Sequence, residues 1–113
     1  MHELSVTTHI LEIVLNEMKT GDYKKVNRID MVIGDLSGIE RENVRYYFKL
    51  LSENTPASKA FLTFKSKKSK FRCNSCGNVY ERCNFSILCP RCNGRGTMVE
   101  SSISLYIDSI EVE

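Results

Sequence analysis

Leu4, Leu11, Leu15 and Met18 recur at helical spacing with Ile10 and Val14 beside them, and this pattern predicts a helix over 4–19 that Gly21 stops. The period then changes. Val26 to Ile33 is rich in β-branched residues, and Asn27, Ile29, Met31 and Ile33 alternate onto one face, as in a strand with one side buried. Gly34-Asp35-Leu36-Ser37-Gly38 reads as a loop. Val44, Tyr47, Phe48 and Leu51 mark a second amphipathic helix over 40–54, closed off by Pro56. A short strand follows over 60–65. Near the end of the chain Ile103, Leu105 and Ile107 alternate, and Ile110 and Val112 alternate out of phase with them, which predicts a bulge or break near Asp108.

Between these elements the pattern lapses. Phe71 to Met98 holds many turn formers and two cysteine pairs, with little helical or strand period. The expected architecture is therefore α+β. Two helices pack on one face of a three-stranded sheet, hiding one apolar side of each element, and a zinc-ribbon module is inserted. The expected division is 1–66 with 102–113 for the α/β domain and 67–101 for the insertion.

At 113 residues, with 42% hydrophobic and 27% charged, the chain suits one ordinary globular domain carrying a small module. A net charge of +2 argues neither for nor against nucleic acid. Lys65, Lys67, Lys68, Lys70 and Arg72 cluster in one stretch, but without interleaved aromatic residues, so a solvated linker is expected there. No stretch is long and apolar enough to span a bilayer, and Met1-His2-Glu3-Leu4 lacks the basic and apolar regions of a signal peptide. A cytoplasmic location is expected, where thiols stay reduced and five cysteines favour metal over disulfides.

The spacing Cys73-x-x-Cys76, twelve residues, Cys89-x-x-Cys92 is that of two knuckles around one tetrahedral ion, with Zn–S distances of about 2.3 Å. Gly77 and Asn93-Gly94 follow the pairs, where a positive φ is often needed. Four cysteines leave no open coordination position, so the site is structural rather than catalytic. Iron on the same sulfurs, and a pair of disulfides, are the rival readings. Cys83 is left over and is expected to be a bystander thiol.

The first three residues carry a second candidate. The Met1 amine, the His2 amide and the His2 imidazole can close fused chelate rings on one ion, and Glu3 offers an amide or carboxylate. Such a nitrogen-rich, nearly planar set suits Ni(II) or Cu(II). The bland alternative is an exposed histidine followed by a glutamate that complements a helix dipole. His9, two turns into the first helix, is expected at the surface.

The initial Met-His-Glu, the helix and strand, the loop Gly34 to Glu40 leading to Phe48, the two Cys-x-x-Cys pairs and the ending Leu105 to Glu113 together resemble the HypA/HybF nickel-insertion proteins. The resemblance covers nearly the whole chain. It implies a non-enzymatic metallochaperone that helps deliver nickel to [NiFe]-hydrogenase, and in some organisms to urease. It implies nickel held by the Met1 amine, the amides of His2 and Glu3 and the His2 imidazole, with Glu3 and Glu40 as supporting acids. Structural zinc falls on Cys73, Cys76, Cys89 and Cys92. The implied partners are a HypB-type nickel GTPase, the hydrogenase large subunit and, where urease is served, its accessory proteins. No nucleic acid or membrane is implied, and both a monomer and a homodimer fit. The competing functional readings are a nucleic-acid-binding zinc-ribbon accessory protein acting through Lys65 to Arg72, and an iron electron-transfer module.

Overall fold

Helix α1 (Glu3–Thr20) forms where the helical period is strongest, and it buries Thr7, Ile10, Leu11, Val14 and Met18 along one stripe. In this computed structural model, residues 3–81, 88–100 and 105–113 are described. Met1, His2, Cys83, Ser102 and Ile103 lie outside them. The chain turns through Asp22, at φ 54°, into strand β1 (Val26–Gly34). Helix α2 (Arg41–Leu51) follows, then β2 (Phe61–Lys67), and the last strand, β6 (Leu105–Val112), returns to the same sheet.

That sheet has the order β2-β1-β6, with β1 parallel to β2 and antiparallel to β6. Ile29, Met31 and Ile33 of β1, Leu62 of β2 and the half-buried Leu105, Ile107, Ile110 and Val112 of β6 form its apolar face. Against that face pack Ile10, Leu11, Val14 and Met18 of α1, Val44 and Phe48 of α2, and Ile39 and Ala57 from the connections. The bulge expected near Asp108 is present: Asp30 faces Ser109 while Met31 faces Ile107, so Asp108 is the extra residue and the alternation changes phase there. A second irregularity was not anticipated. Val26 faces Val112 and Arg28 faces Glu111, which makes Asn27 the extra residue; Val26, not Asn27, is fully buried.

Helix α2 is shorter than expected. The Ser52 N–H donates to the Phe48 carbonyl, and Asn54 at φ 63° carries the chain out of the helix before Pro56. Leu51 is consequently exposed.

The interval from 67 to 101 holds a second three-stranded sheet, order β4-β3-β5, from β3 (Lys70–Cys73), β4 (Val79–Glu81) and β5 (Gly96–Glu100). Phe71 and Tyr80 stack with ring centroids 5.9 Å apart and, with Cys73 and Cys89, make its own small core. The basic stretch is therefore not a linker. Lys65 and Lys67 end β2, and Lys70 and Arg72 lie on β3, with their side chains outward and Ser69 fully buried between them. Asp35 holds this joint: its two carboxylate oxygens accept the Ser69 N–H at 3.1 Å each, and Oδ1 also accepts the Ser69 hydroxyl at 2.8 Å. Among the described residues no helix is long and apolar enough to cross a membrane.

Candidate metal centres

The two knuckles close in the same way. The Gly77 N–H donates to the Cys73 carbonyl at 3.0 Å, and the Asn93 N–H to the Cys89 carbonyl at 2.8 Å. Gly77 and Asn93 sit at φ 74° and 65°, the left-handed turn conformation expected of residues at these two places. Strand pairing then brings the knuckles together: Cys73 pairs with Gly96 across β3 and β5, and Leu88 bridges Arg95. Gly96 leaves room for the Tyr80 hydroxyl, which a Cβ at this position would push aside.

The four sulfurs of Cys73, Cys76, Cys89 and Cys92 lie within 4.8 Å of one another. Cys73 and Cys92 are 3.4 Å apart and Cys76 and Cys89 3.7 Å. These separations are far longer than a disulfide of about 2.05 Å. They are close to the roughly 3.8 Å between sulfurs at tetrahedral positions about 2.3 Å from one ion. The donor set therefore fits a single metal ion.

Electrostatics support that fit. The Cys76 N–H, at 3.5 Å from the Cys73 sulfur, holds the Cys73 thiol below its ordinary value against the effect of burial. Burial opposes ionisation of Cys89, yet the N–H groups of Arg91 and Cys92 and the Asn78 amide outweigh it, and the thiol falls to about 6. The Gly94 N–H favours the thiolate of Cys92, but the sulfurs of Cys73 and Cys76, together with burial, hold that thiol up at about 12. Burial and then the charges of Cys89 and Cys73 likewise raise Tyr80. Donors thus prepare the pocket for anions while crowding resists filling it with them, and a cation at the centre relieves the crowding. The amide of Asn78 and the close backing of Gly94, whose added Cβ would stand 3.2 Å from the Cys73 sulfur, belong to this site as much as the cysteines do. The cysteine spacing alone did not reveal them.

At the other candidate centre, Glu3 is the first residue of α1 and half-buried, and its carbonyl accepts the Thr7 hydroxyl at 2.6 Å. Glu40 is the N-cap residue of α2, with extended backbone at φ −90° and ψ 122°. It is exposed, and its side chain makes no capping hydrogen bond. Short connections before and after β1 set both helices antiparallel to that strand, so both begin at the end of the sheet where β1 and β2 finish. The joint to the cysteine module is at the same end. His9 is exposed on α1, as expected.

A two-helix, mixed-sheet unit with an inserted four-cysteine module has the architecture of a small metal-binding protein. The family described as HypA, hydrogenase/urease nickel incorporation, metallochaperone, matches residues 1–112, and the chain belongs to that family. It is 46% identical over 114 residues, covering all of both chains, to the hydrogenase maturation factor HypA of Caldanaerobacter subterraneus subsp. tengcongensis. It is 34% identical over 113 residues, again covering all of both chains, to the hydrogenase maturation factor HybF of Escherichia coli. The solution structure of the nickel metallochaperone HypA from Helicobacter pylori shares the fold at a TM-score of 0.67 and 20% identity, covering 99% of this chain and 97% of that one. Another HypA solution structure matches at 0.70 and 19%, covering 99% and 96%. As a metallochaperone the chain carries metal for hydrogenase maturation; it is not an enzyme.

Proposed function

We propose that the chain binds one Ni(II) at its N-terminus and passes it to the large subunit of [NiFe]-hydrogenase, with a HypB-type GTPase as partner and, where urease is served, that enzyme's accessory proteins. The carrying observation is the family match across residues 1–112, which includes the Met1-His2-Glu3 start. The ligands are the Met1 amine, the amides of His2 and Glu3 and the His2 imidazole, with the Glu3 carboxylate and Glu40 in support. Zn(II) on Cys73, Cys76, Cys89 and Cys92 is structural. The nickel-holding unit is 1–66 with 102–113, the zinc unit is 67–101, and the protein works in the cytoplasm.

The chemistry explains transfer. Cargo held at a chain terminus can be reached by an acceptor's donors, which replace the chaperone's ligands one at a time. Amide nitrogens must lose protons to bind, so nickel affinity rises with pH. Cu(II) would bind the same donors more tightly, and selection between the metals therefore rests on supply and docking.

Calorimetric nickel titration tests the reading, with zinc measured first in every sample. Untagged protein should bind one nickel. One residue added before Met1, or His2→Ala, should weaken binding at least tenfold, and His9→Ala should not. Equal affinity in the extended protein would move the nickel site away from the terminal amine.

A further inference from the structure

Strand β2 ends the sheet, and among the described residues no further strand pairs with its outer edge. The Lys67 carbonyl turns inward, accepting the Asp35 N–H just beyond β1. The Leu62 carbonyl turns outward, to Nη1 of Arg45 at 2.6 Å. Alternation along the strand then points the backbone groups of Phe64 and Ser66 outward as well. Helix α2 runs antiparallel beside this edge. Arg41 contacts the Ser66 hydroxyl, Arg45 lies 4.8 Å over the Phe64 ring, and Lys49 shares a groove of about 260 Å³ with Lys59, Phe61 and Leu62. Phe61 is 63% exposed at its mouth.

Arg41, Arg45 and Lys49 are spaced i, i+4, i+8, a rise of about 6 Å per step. Every second side chain of a strand advances about 6.6 Å. The three cations thus keep pace with one face of a strand laid along the edge. Below the edge lies Lys65, which shares a concavity with Glu81 and Asp108. On α2 itself Glu42 pairs with Arg45 at 3.4 Å but is 85% exposed and readily displaced.

We propose that the outer edge of β2 receives an extended acidic segment of a partner protein as an added strand. Its backbone bonds to Phe64 and Ser66, alternate carboxylates meet Arg41, Arg45 and Lys49, and an apolar residue covers Phe61. Charge on an edge usually serves to prevent pairing. Here it repels a second β2 edge, which carries the same cations, and selects an acidic strand. The acidic β6 of a second copy is a poorer occupant, because the bulge at Asp108 interrupts its ladder.

The test is fluorescence anisotropy with a labelled nonapeptide of alternating glutamate and valine, against the full-length protein at low salt. Glutamine in place of glutamate should weaken binding at least tenfold. N-methylation of every peptide nitrogen keeps the charge but removes the strand donors, and it should do the same. Arg41→Glu with Lys49→Glu should also abolish binding, as should Ser66→Pro, which removes an outward N–H. The peptide should shift the amide signals of Phe64 and Ser66. Equal binding of the N-methylated peptide would reduce the surface to a diffuse basic patch and overturn the proposal. So would equal binding of the glutamine peptide, or sedimentation showing that the edge is filled by a second copy of this chain.

Discussion

Asp30 stands at the centre of the solvent-facing side of the sheet. The Thr63 hydroxyl donates to it at 2.6 Å from β2 and the Ser109 hydroxyl at 2.8 Å from β6, and Nε of Arg28 lies 3.0 Å away. The Thr63 and Ser109 hydroxyls, with Arg28 behind them, hold the carboxyl below its ordinary value of 3.8. The folded state therefore binds fewer protons than the unfolded chain as pH falls past that value. The contribution of Asp30 is full above pH 3.8 and fades as pH drops through the lower folded value. Asp30→Asn should be less stable than wild type at neutral pH, and the gap should close in strong acid. Urea midpoints of both proteins across the acid range would check this; a gap that widens on acidification would mean Asp30 is not held as an anion. None of this cross-strand cluster was legible in the sequence, because Thr63 and Ser109 are 33 and 79 residues from Asp30. The same is true of Asp35 and Ser69. By contrast, the four cysteines were legible, since each pair is local and two local pairs already specify a tetrahedron.

At the scale of elements, periodicity succeeded where a stripe was long and one face was buried. Ile10, Val14 and Met18 lie on the buried stripe of α1, but Leu4, counted with them by spacing, is 48% exposed. It sits in the first turn of the helix, one turn before the buried stripe begins at Thr7. Ile10→Ala should then cost about 2–5 kcal/mol, as a cavity in a packed core does, while Leu4→Ala should stay within about 0.5 kcal/mol. Chemical denaturation of the metal-loaded protein would measure both, and a large loss at Leu4 would show that further chain covers that end of α1. The strands β3, β4 and β5 escaped the sequence pattern for a different reason. They are three to five residues long, too short for alternation to repeat, and their order comes from cysteines and stacked rings rather than from an apolar face. The bulge at Asp108 could be seen because it shifts a long apolar alternation; the one at Asn27 could not, because it falls at the second residue of β1, before any alternation has been set up.

The whole molecule is elongated, 55 × 24 × 17 Å, and has two separate cores. Ile29, Met31, Val14 and Val44 belong to one; Phe71, Cys73, Tyr80 and Cys89 belong to the other. The second contains four buried residues, two of them metal-ligand candidates, so an ion bound by the four cysteines would supply most of its order. The first is built without any sulfur ligand. Removing metal with a strong chelator should therefore release amide protons in β3, β4 and β5 to rapid exchange, while Ile29 and Met31 in β1 keep their protection. Cys92→Ser should give the same pattern without chelator. The far-ultraviolet helical signal, which comes from α1 and α2, should persist in both. The Asp35–Ser69 contacts hold the joint between the two units, so loss of order should stop near Ser69 rather than spread through β2. Hydrogen exchange resolved by residue decides the matter. Collapse of protection at Ile29 and Met31 upon chelation would mean that the two cores fold as one cooperative unit and that the ion stabilises the entire chain.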